Sequence, residues 1–218
     1  RNGPLLKSNI GKNNIQQQDN FNFDRVFKQN ESQETVFDDI SQLVQSALDG
    51  YKVCIFAYGQ TAAGKTYTME GEGGTNNRGI TPRSLELIFK EKSNLENSGW
   101  LFNLEASCLE IYLDQVRDLL SKQNNNLINN FKNNSSNTER TSIQINHIDD
   151  FYNVLANATE RRKVAETMLN EKSSRSHFIF QVRIKAKNLE KNIERNGALN
   201  LIDLAGSEKP TGNKQDER

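Results

Sequence analysis

A glycine-bounded turn that follows an apolar run contains the residue types best suited to binding phosphate. Residues 53–58 form an uninterrupted apolar run, which predicts a strand buried on both faces. Gly59 to Thr66 follows with the spacing Gly-x-x-x-x-Gly-Lys-Thr. The glycines let the backbone turn so that several N–H groups point at one anion, and a helix after Gly64 adds the positive end of its dipole. The lysine and the threonine supply a positive charge and a magnesium ligand. This order favours a phosphate-binding loop, or P-loop, over a glycine-rich turn with a chance Lys-Thr pair.

A serine-rich segment, Asn170 to His177, offers a second set of polar groups. It contains three serines and an asparagine, and it lies between a predicted helix and a predicted strand. Short hydroxyl and amide groups can ligate magnesium, hold a water molecule or contact a γ-phosphate. Arg175 is a natural partner for a carboxylate elsewhere in the chain. A serine-rich loop that caps the next strand explains the same residues equally well.

An acid ends the apolar run 199–202 and begins a third candidate segment, Asp203 to Glu208. P-loop enzymes place an acid at the carboxyl end of a strand, where it holds a magnesium-bound water. Gly206 could offer its N–H to the γ-phosphate and change conformation when that phosphate leaves. Glu208 is the obvious carboxylate for Arg175. A simple turn after a strand is the alternative for these residues.

The composition narrows the class of protein only slightly. Acidic and basic residues number 28 each, so the overall charge predicts binding to neither nucleic acid nor membrane. Cys54 and Cys108 lie in apolar runs, which predicts buried, reduced thiols and no disulfide. No apolar run is long enough to cross a bilayer and no signal peptide opens the chain, so we expect a soluble intracellular protein. His147 and His177 are too far apart in the sequence to predict a metal site.

Hydrophobic periodicity predicts helices and strands in alternation. The predicted helices are 32–50, one that begins at 81–82, and 148–167; the predicted strands are 53–58, 101–112, 178–186 and 199–204. The asparagine-rich stretch 121–140 predicts a disordered surface loop. This order predicts an α/β fold of the P-loop NTPase type, a central mixed, mostly parallel sheet with helices on both faces.

Together and in this order, the three segments resemble the kinesin motor domain. The matching stretches are 21–27, 55–61, 64–69, 173–177 and 203–208. Residues 48–56 are most similar to the C-terminal-motor, minus-end-directed branch of that family. The resemblance covers nearly the whole chain, so we expect residues 1–218 to be a motor domain. Its named parts would be the P-loop 59–66, the asparagine-rich loop 121–140, the first switch 170–177 and the second switch 203–208.

The resemblance implies an ATP-binding and ATP-hydrolysing motor that moves along microtubules, with ATP and Mg²⁺ as cofactors. The residues expected to bind the nucleotide are Gly59, Gln60, Thr61, Ala62, Ala63, Gly64, Lys65, Thr66, Tyr67, Arg1 and Pro4. Within this set, Arg1, Pro4 and Tyr67 match the positions that sandwich adenine. Thr66 and Ser174 would ligate magnesium, and Asp203 would hold a magnesium-bound water.

The resemblance also assigns roles in hydrolysis. Ser173 and the N–H of Gly206 would contact the γ-phosphate and the attacking water. Arg175 and Glu208 would form an ion pair that closes the site, with Glu208 in the proton path. Asn170 would belong to the same first switch.

The sequence departs from the family pattern at several positions and in length. Gly3 stands where the family usually has a second arginine, Lys172 replaces a usual histidine, and Lys209 a usual arginine. The chain ends at Arg218, before the helices that carry most of the microtubule contact in the family, and its first strand is clipped. We therefore expect a retained nucleotide pocket with poor microtubule binding. A coiled coil outside this chain would join two motors, and the expected location is the cytoplasm and the cytoskeleton, on microtubules and the spindle.

Two alternatives compete with an ATP-driven motor. A GTPase is suggested by Asp203-x-x-Gly206 and by residues 213–216, Asn-Lys-Gln-Asp, which fit a guanine-reading motif. That motif should follow its own buried strand, and no apolar run separates it from Gly206. The second alternative is a non-catalytic arm of a motor heterodimer. The intact Lys65 and Thr66, together with Ser174 and Asp203, argue against lost nucleotide chemistry.

Overall fold

The computed structural model describes residues 5–8, 19–72, 77–122, 140–167 and 175–208. The elements are β1 Leu5–Ser8, β2 Asp19–Asn22, α1 Gln33–Leu48, β3 Lys52–Ala57, α2 Lys65–Met69, α3 Ile80–Glu96, β4 Trp100–Tyr112, β5 Gln115–Asp118, β6 Ile143–Ile145, α4 Ile148–Thr167, β7 His177–Asn188 and β8 Ile193–Asp203. The predicted helices and long strands are therefore present, at bounds close to those expected. None of the helices in these ranges is long and apolar enough to span a membrane.

Six strands form one sheet in the order β3-β8-β7-β4-β5, with β6 also paired to β4. Only β3 and β8 are parallel among these pairs; the others are antiparallel. The prediction of a mixed sheet is confirmed, and the prediction that it is mostly parallel is wrong. Short turns explain two of the four antiparallel pairs: Leu113 and Asp114, both with positive φ, join β4 to β5, and four residues, 189–192, join β7 to β8. Tight connections of this kind can link only antiparallel neighbours.

One face of the sheet carries the core. Its buried side chains alternate along three neighbouring strands, namely Leu104, Ala106 and Cys108 of β4, Phe178, Phe180, Val182 and Ile184 of β7, and Leu199 and Leu201 of β8. Helix α1 packs against α3, and α3 packs against α2 and α4, so the helices form one layer. Phe151 of α4 contacts Phe89 of α3 edge to face and lies against Phe180. The described helices therefore cover this face of the sheet, and helices on the opposite face remain a prediction.

Helix α1 shows why the sequence prediction succeeded locally. The Ser32 side chain accepts a hydrogen bond from the Thr35 N–H at 3.1 Å, and Glu34 lies in the first turn. Both features satisfy or complement the exposed N–H groups at a helix start. Gly50, with φ of 106°, adopts the left-handed conformation that ends helices, and the chain then enters β3.

Strand β3 is less buried than its apolar sequence predicts. It lies at the end of the strand order and pairs with β8 alone among the described strands. Its side chains alternate between exposed and half-buried, and Phe56 and the following Tyr58 are 59% and 74% exposed. The prediction of burial on both faces is wrong here because only the face beneath α1 is covered. Cys54 is exposed for the same reason, whereas Cys108 is buried, and burial raises the pKa of its thiol.

Candidate nucleotide-binding site

The described parts of the three candidate segments meet at one edge of the sheet because of strand direction. The parallel pair β3 and β8 brings Ala57 beside Asp203, so the P-loop and the second switch leave the sheet side by side. Strand β7 runs the opposite way and pairs Phe178 with Asp203. Its first residue, His177, which is also the last residue of the first switch, therefore lies at the same edge. Residues far apart in the sequence are thus brought together by strand pairing.

The P-loop has the conformation that its glycines predict. Gly64 caps α2 with φ of 89°, in the left-handed region that glycine occupies without steric cost. The Ala63 N–H donates to the Gln60 carbonyl at 3.1 Å and closes the turn. The Lys65 ammonium folds back and donates to the same carbonyl at 2.9 Å. A surface-accessible lysine in this position can exchange that carbonyl for a phosphate oxygen.

Thr66 and Asp203 form the contact most relevant to a metal ion. The Thr66 hydroxyl donates to Asp203 Oδ2 at 2.6 Å, across 137 positions of sequence. Asp203 is only 3% exposed, and its other oxygen, Oδ1, is buried without a hydrogen-bond partner among the described residues. An orphaned carboxylate oxygen beside a hydroxyl gives the hard oxygen donors that Mg²⁺ prefers. No group of three or more His, Cys, Asp or Glu side chains that could hold a metal occurs in the described ranges. The donor set therefore suits an ion that takes its remaining ligands from phosphate and water, as Mg²⁺ does.

An arginine that the sequence reasoning passed over completes this cluster. Arg162 of α4 is 9% exposed; its guanidinium lies 3.9 Å from Asp203 Oδ2 and donates to the Ser176 hydroxyl at 3.5 Å. Its position near the end of a predicted helix gave no reason to single it out. A better signal was available: Phe151, Ala158 and Arg162 recur at helical spacing, so the arginine continues the apolar face of α4.

A cavity of about 320 Å³ opens between the P-loop, α4 and the second switch. Lys65, Thr66, Arg162, Asp203 and Gly206 are among the residues that line it. Glu70, which ends α2, also lines the cavity. Burial raises the pKa of the Glu70 carboxyl above its ordinary value, and the charge of Arg162 opposes that rise. Cationic and anionic groups thus share a pocket of the size of a small ligand.

Three backbone N–H groups of the second switch donate hydrogen bonds to neighbouring segments. The Leu204 N–H donates to the Ala57 carbonyl at 3.4 Å, and the Ser207 N–H donates to the Gly59 carbonyl at 3.0 Å. Between them, the Ala205 N–H donates to Nδ1 of His177 at 3.1 Å. For residues 204–207, the Gly206 N–H is the one backbone donor with no partner in the described part of the chain.

A sequence model of the kinesin motor domain matches residues 3–218. The chain belongs to the kinesin motor-domain family. It is 46% identical to Kinesin-like protein KIN-14D of Arabidopsis thaliana over 207 residues, or 87% of this chain and 26% of that protein. It is 43% identical to Carboxy-terminal kinesin 2 of Xenopus laevis, over 87% of this chain and 31% of that protein. The chain thus spans about a quarter to a third of these curated relatives.

Solved kinesin structures are similar over most of the chain. The structure of a fast kinesin superposes with a TM-score of 0.80 at 37% identity, covering 97% of this chain and 63% of that chain. The motor domain of a Kar3-like kinesin from Ashbya gossypii gives a TM-score of 0.73 at 36% identity, covering 95% of this chain and 62% of that chain. At these identities the likeness supports the kinesin motor fold, a mixed sheet with helices of the P-loop NTPase type.

The ion pair between Arg175 and Glu208 that the kinesin resemblance implies is not formed between these described residues. The Glu208 carboxylate instead accepts hydrogen bonds from the Thr61 N–H, at 2.8 Å, and from the Thr61 hydroxyl. These bonds stabilise the charged carboxylate, so they hold the pKa of Glu208 below its ordinary value. Thr61 belongs to a loop whose donors are arranged for an anion, and the Glu208 carboxylate accepts from two of its groups. The Arg175–Glu208 pair stays a prediction.

Several residues that the kinesin resemblance assigned lie outside the described residues. They are Arg1, Pro4, Asn170, Ser173 and Ser174, together with Gly3, Lys172, Lys209, residues 123–139 of the asparagine-rich loop and residues 213–216. Tyr67, the remaining residue predicted to contact adenine, is 46% exposed, and its carbonyl accepts from the Gln33 side chain at 2.6 Å. The described part of the site is therefore its phosphate end.

Proposed function

We propose that this chain is the ATP-binding and ATP-hydrolysing part of a microtubule motor. The observation that carries the proposal is the cluster formed by Thr66, Asp203 and Gly206 beside the P-loop. The threonine and aspartate provide oxygen donors for Mg²⁺, and Gly206, whose N–H has no partner among the described residues, lines the same cavity. Family membership supports the same reading, since the match covers residues 3–218.

Binding would begin with an exchange of partners on the P-loop. Lys65 leaves the Gln60 carbonyl for a phosphate oxygen, and the backbone donors of the loop receive the remaining phosphate charge. Bound Mg²⁺ would supply charge neutralisation on the phosphates, with Thr66, Ser174 and a water held by Asp203 as the residues around it. Arg162 and the Thr66 hydroxyl both approach Oδ2 of the Asp203 carboxylate and hold it in place.

Hydrolysis would use the second switch. The Gly206 N–H donates no hydrogen bond within the described part of the chain, so it can donate one to the γ-phosphate. Ser173 and Asn170 would act from the first switch. The same phosphate competes for the Thr61 donors and displaces the Glu208 carboxylate, which can then pair with Arg175 and take part in the proton path. Water adds to the γ-phosphorus, the bond to the bridging oxygen breaks, and ADP and phosphate leave.

The wider function follows from the relatives and is part of the proposal. Proteins named KIN-14D and Carboxy-terminal kinesin 2 support a C-terminal motor that moves toward microtubule minus ends and acts on the cytoplasmic cytoskeleton, the spindle included. A solved neighbour is described as a C-terminal motor and motor homology domain of Kar3Vik1 fused to a synthetic heterodimeric coiled coil, at 33% identity and a TM-score of 0.76. It supports dimerisation through a coiled coil.

The test compares nucleotide binding and turnover in wild type and Lys65→Ala. We expect Mg·ATP affinity to fall by about 10- to 100-fold, the effect of losing a charged hydrogen bond. Lys52→Ala is the matched control, because Lys52 is an exposed lysine at the other end of β3. ATP turnover should rise when microtubules are added. A preference for GTP, or ATP binding without any turnover, would overturn the ATPase proposal.

A further inference from the structure

His177 makes a contact that links the two switch segments and that the assigned chemistry does not use. It is the last residue of the first switch and the first of β7, and its Nδ1 accepts the N–H of Ala205 at 3.1 Å. The two residues are 28 positions apart in sequence. The bond requires an imidazole whose Nδ1 carries no proton, so the proton of the neutral ring is on Nε2.

The contact differs from the other anchors of the second switch. The N–H of Leu204 donates to the carbonyl of Ala57, the last residue of β3, and the N–H of Ser207 donates to the carbonyl of Gly59, the first residue of the P-loop. The N–H of Ala205 donates to a side chain, and that side chain belongs to the strand that follows the first switch. Backbone acceptors are present whatever the sequence, whereas this acceptor exists only because residue 177 is a histidine.

The residue before His177 is tied to the same segment. Ser176 is fully buried, and its hydroxyl accepts from Arg162, whose guanidinium lies 3.9 Å from Asp203. The last two residues of the first switch therefore reach two of the first three residues of the second, Ser176 through Arg162 and His177 directly. Residues 176 and 177 are thus connected to Asp203 and to Ala205 respectively.

The position of Ala205 decides where the next donor points. Fixing the Ala205 N–H orients one of the two peptide planes that flank this residue, and the N–H of Gly206 belongs to the next plane. Glycine has wide backbone freedom, so the direction of its N–H depends on what holds its neighbours. His177 on one side and the Ser207 bond on the other supply that restraint.

We propose that His177 is a positioning residue, whose Nδ1 fixes the second switch so that the Gly206 N–H is aimed at the γ-phosphate. The inference rests on the proposed ATPase function. It gives this side chain a role beyond capping a strand: His177 ties the start of β7 to the phosphate sensor of the second switch.

A near-isosteric pair of variants separates this role from packing. His177→Asn keeps an acceptor, since the Asn Oδ1 can occupy the place of Nδ1, and His177→Leu fills a similar volume without one. We expect His177→Leu to lower kcat for ATP roughly tenfold, the weight of one neutral hydrogen bond, with KM and Mg·ADP affinity unchanged. His177→Asn should recover most of the rate. His147→Leu is the control at the only other histidine.

Amide exchange tests the contact without relying on activity. Leu-Ala occurs only twice in the sequence, at 155–156 and 204–205, so carbonyl-labelled leucine with ¹⁵N-alanine gives two signals, of which Ala156 lies inside α4. In the whole chain, with and without Mg²⁺ and a non-hydrolysable ATP analogue, the Ala205 amide should exchange slowly in wild type and in His177→Asn. It should exchange at least tenfold faster in His177→Leu.

Equal exchange in the two variants, or equal kcat values, would overturn the role of His177. A wild-type chain without turnover would refute the ATPase proposal instead, and Ala205 exchange in the presence of the analogue would still decide the positioning role.

Discussion

Removing the guanidinium of Arg162 should destabilise the fold, and the structure sets the size of the effect. Arg162→Met keeps the aliphatic length of the side chain but leaves Asp203 without its nearby cation. At 3.9 Å and an effective dielectric constant of about 20, the attraction between the two charges is about 4 kcal/mol. Release of the desolvation cost of the arginine offsets part of this loss, and Thr66 still donates to Asp203. We therefore expect the free energy of unfolding to fall by about 2–3 kcal/mol, or roughly 4–12 °C in Tm for a chain of this size.

The assay is urea and thermal unfolding at neutral pH, with a neighbouring arginine as the control. Arg161 is exposed, and its guanidinium donates to the Ser121 carbonyl, so Arg161→Met should change the free energy of unfolding by less than about 0.5 kcal/mol. Arg162→Lys keeps the charge without the two-pronged geometry and should fall between wild type and Arg162→Met. If Arg162→Met were as stable as wild type, or if both arginine variants lost the same stability, the buried charge pair would not be holding this edge of the sheet.

Two further results follow from the second switch. In Gly206→Ala, the added methyl group would overlap the Glu208 carboxylate and the Thr61 hydroxyl. We therefore expect Mg·ADP binding to persist while ATP turnover falls by at least tenfold. A steady-state turnover rate equal to that of wild type would show that the loop accommodates a side chain. The contact of Glu208 with Thr61 should depend on acid, because the folded pKa of this carboxyl lies below its ordinary value of 4.5. The contribution of the contact is then present above pH 4.5 and is lost as pH falls through the lower folded pKa. The ¹⁵N shift of the Thr61 amide should titrate below pH 4.5 in wild type and stay flat in Glu208→Gln; a midpoint above 4.5 would contradict the assignment.

Local features of the fold were predictable from the sequence because their causes are local. The cap at Ser32, the left-handed glycines at 50 and 64, and the strand-to-loop order around the P-loop all depend on residues a few positions apart. The exposure of Phe56 was not predictable in the same way. An apolar run specifies a strand, but the number of neighbours that the strand has is decided by distant parts of the chain.

The missed members of the site share one property: their partners are distant in sequence. Arg162 reaches Asp203 and His177 reaches Ala205 only after β7 and β8 have paired. The resemblance to kinesins placed Thr66 and Asp203 in one site, since it carries that long-range knowledge, but it also implied an Arg175–Glu208 pair. In this structure the carboxylate is taken by the closer donors of Thr61. Charges on flexible side chains find the partners that are nearest in the state described, and sequence alone does not specify that state.

The one large error in the predicted fold was avoidable, because the predicted site already contradicted it. The first switch precedes its strand, β7, whereas the second switch follows its strand, β8. Both can lie at the same edge of the sheet only if those two strands run in opposite directions. A mostly parallel sheet would have put residues 170–177 at the far end of β7, a strand of 12 residues, or about 40 Å from Asp203. The chemistry required one parallel pair, to bring the P-loop beside Asp203, and one antiparallel pair, to return the serine-rich segment to them. The observed registers, Ala57 with Asp203 and Phe178 with Asp203, satisfy both requirements at a single residue.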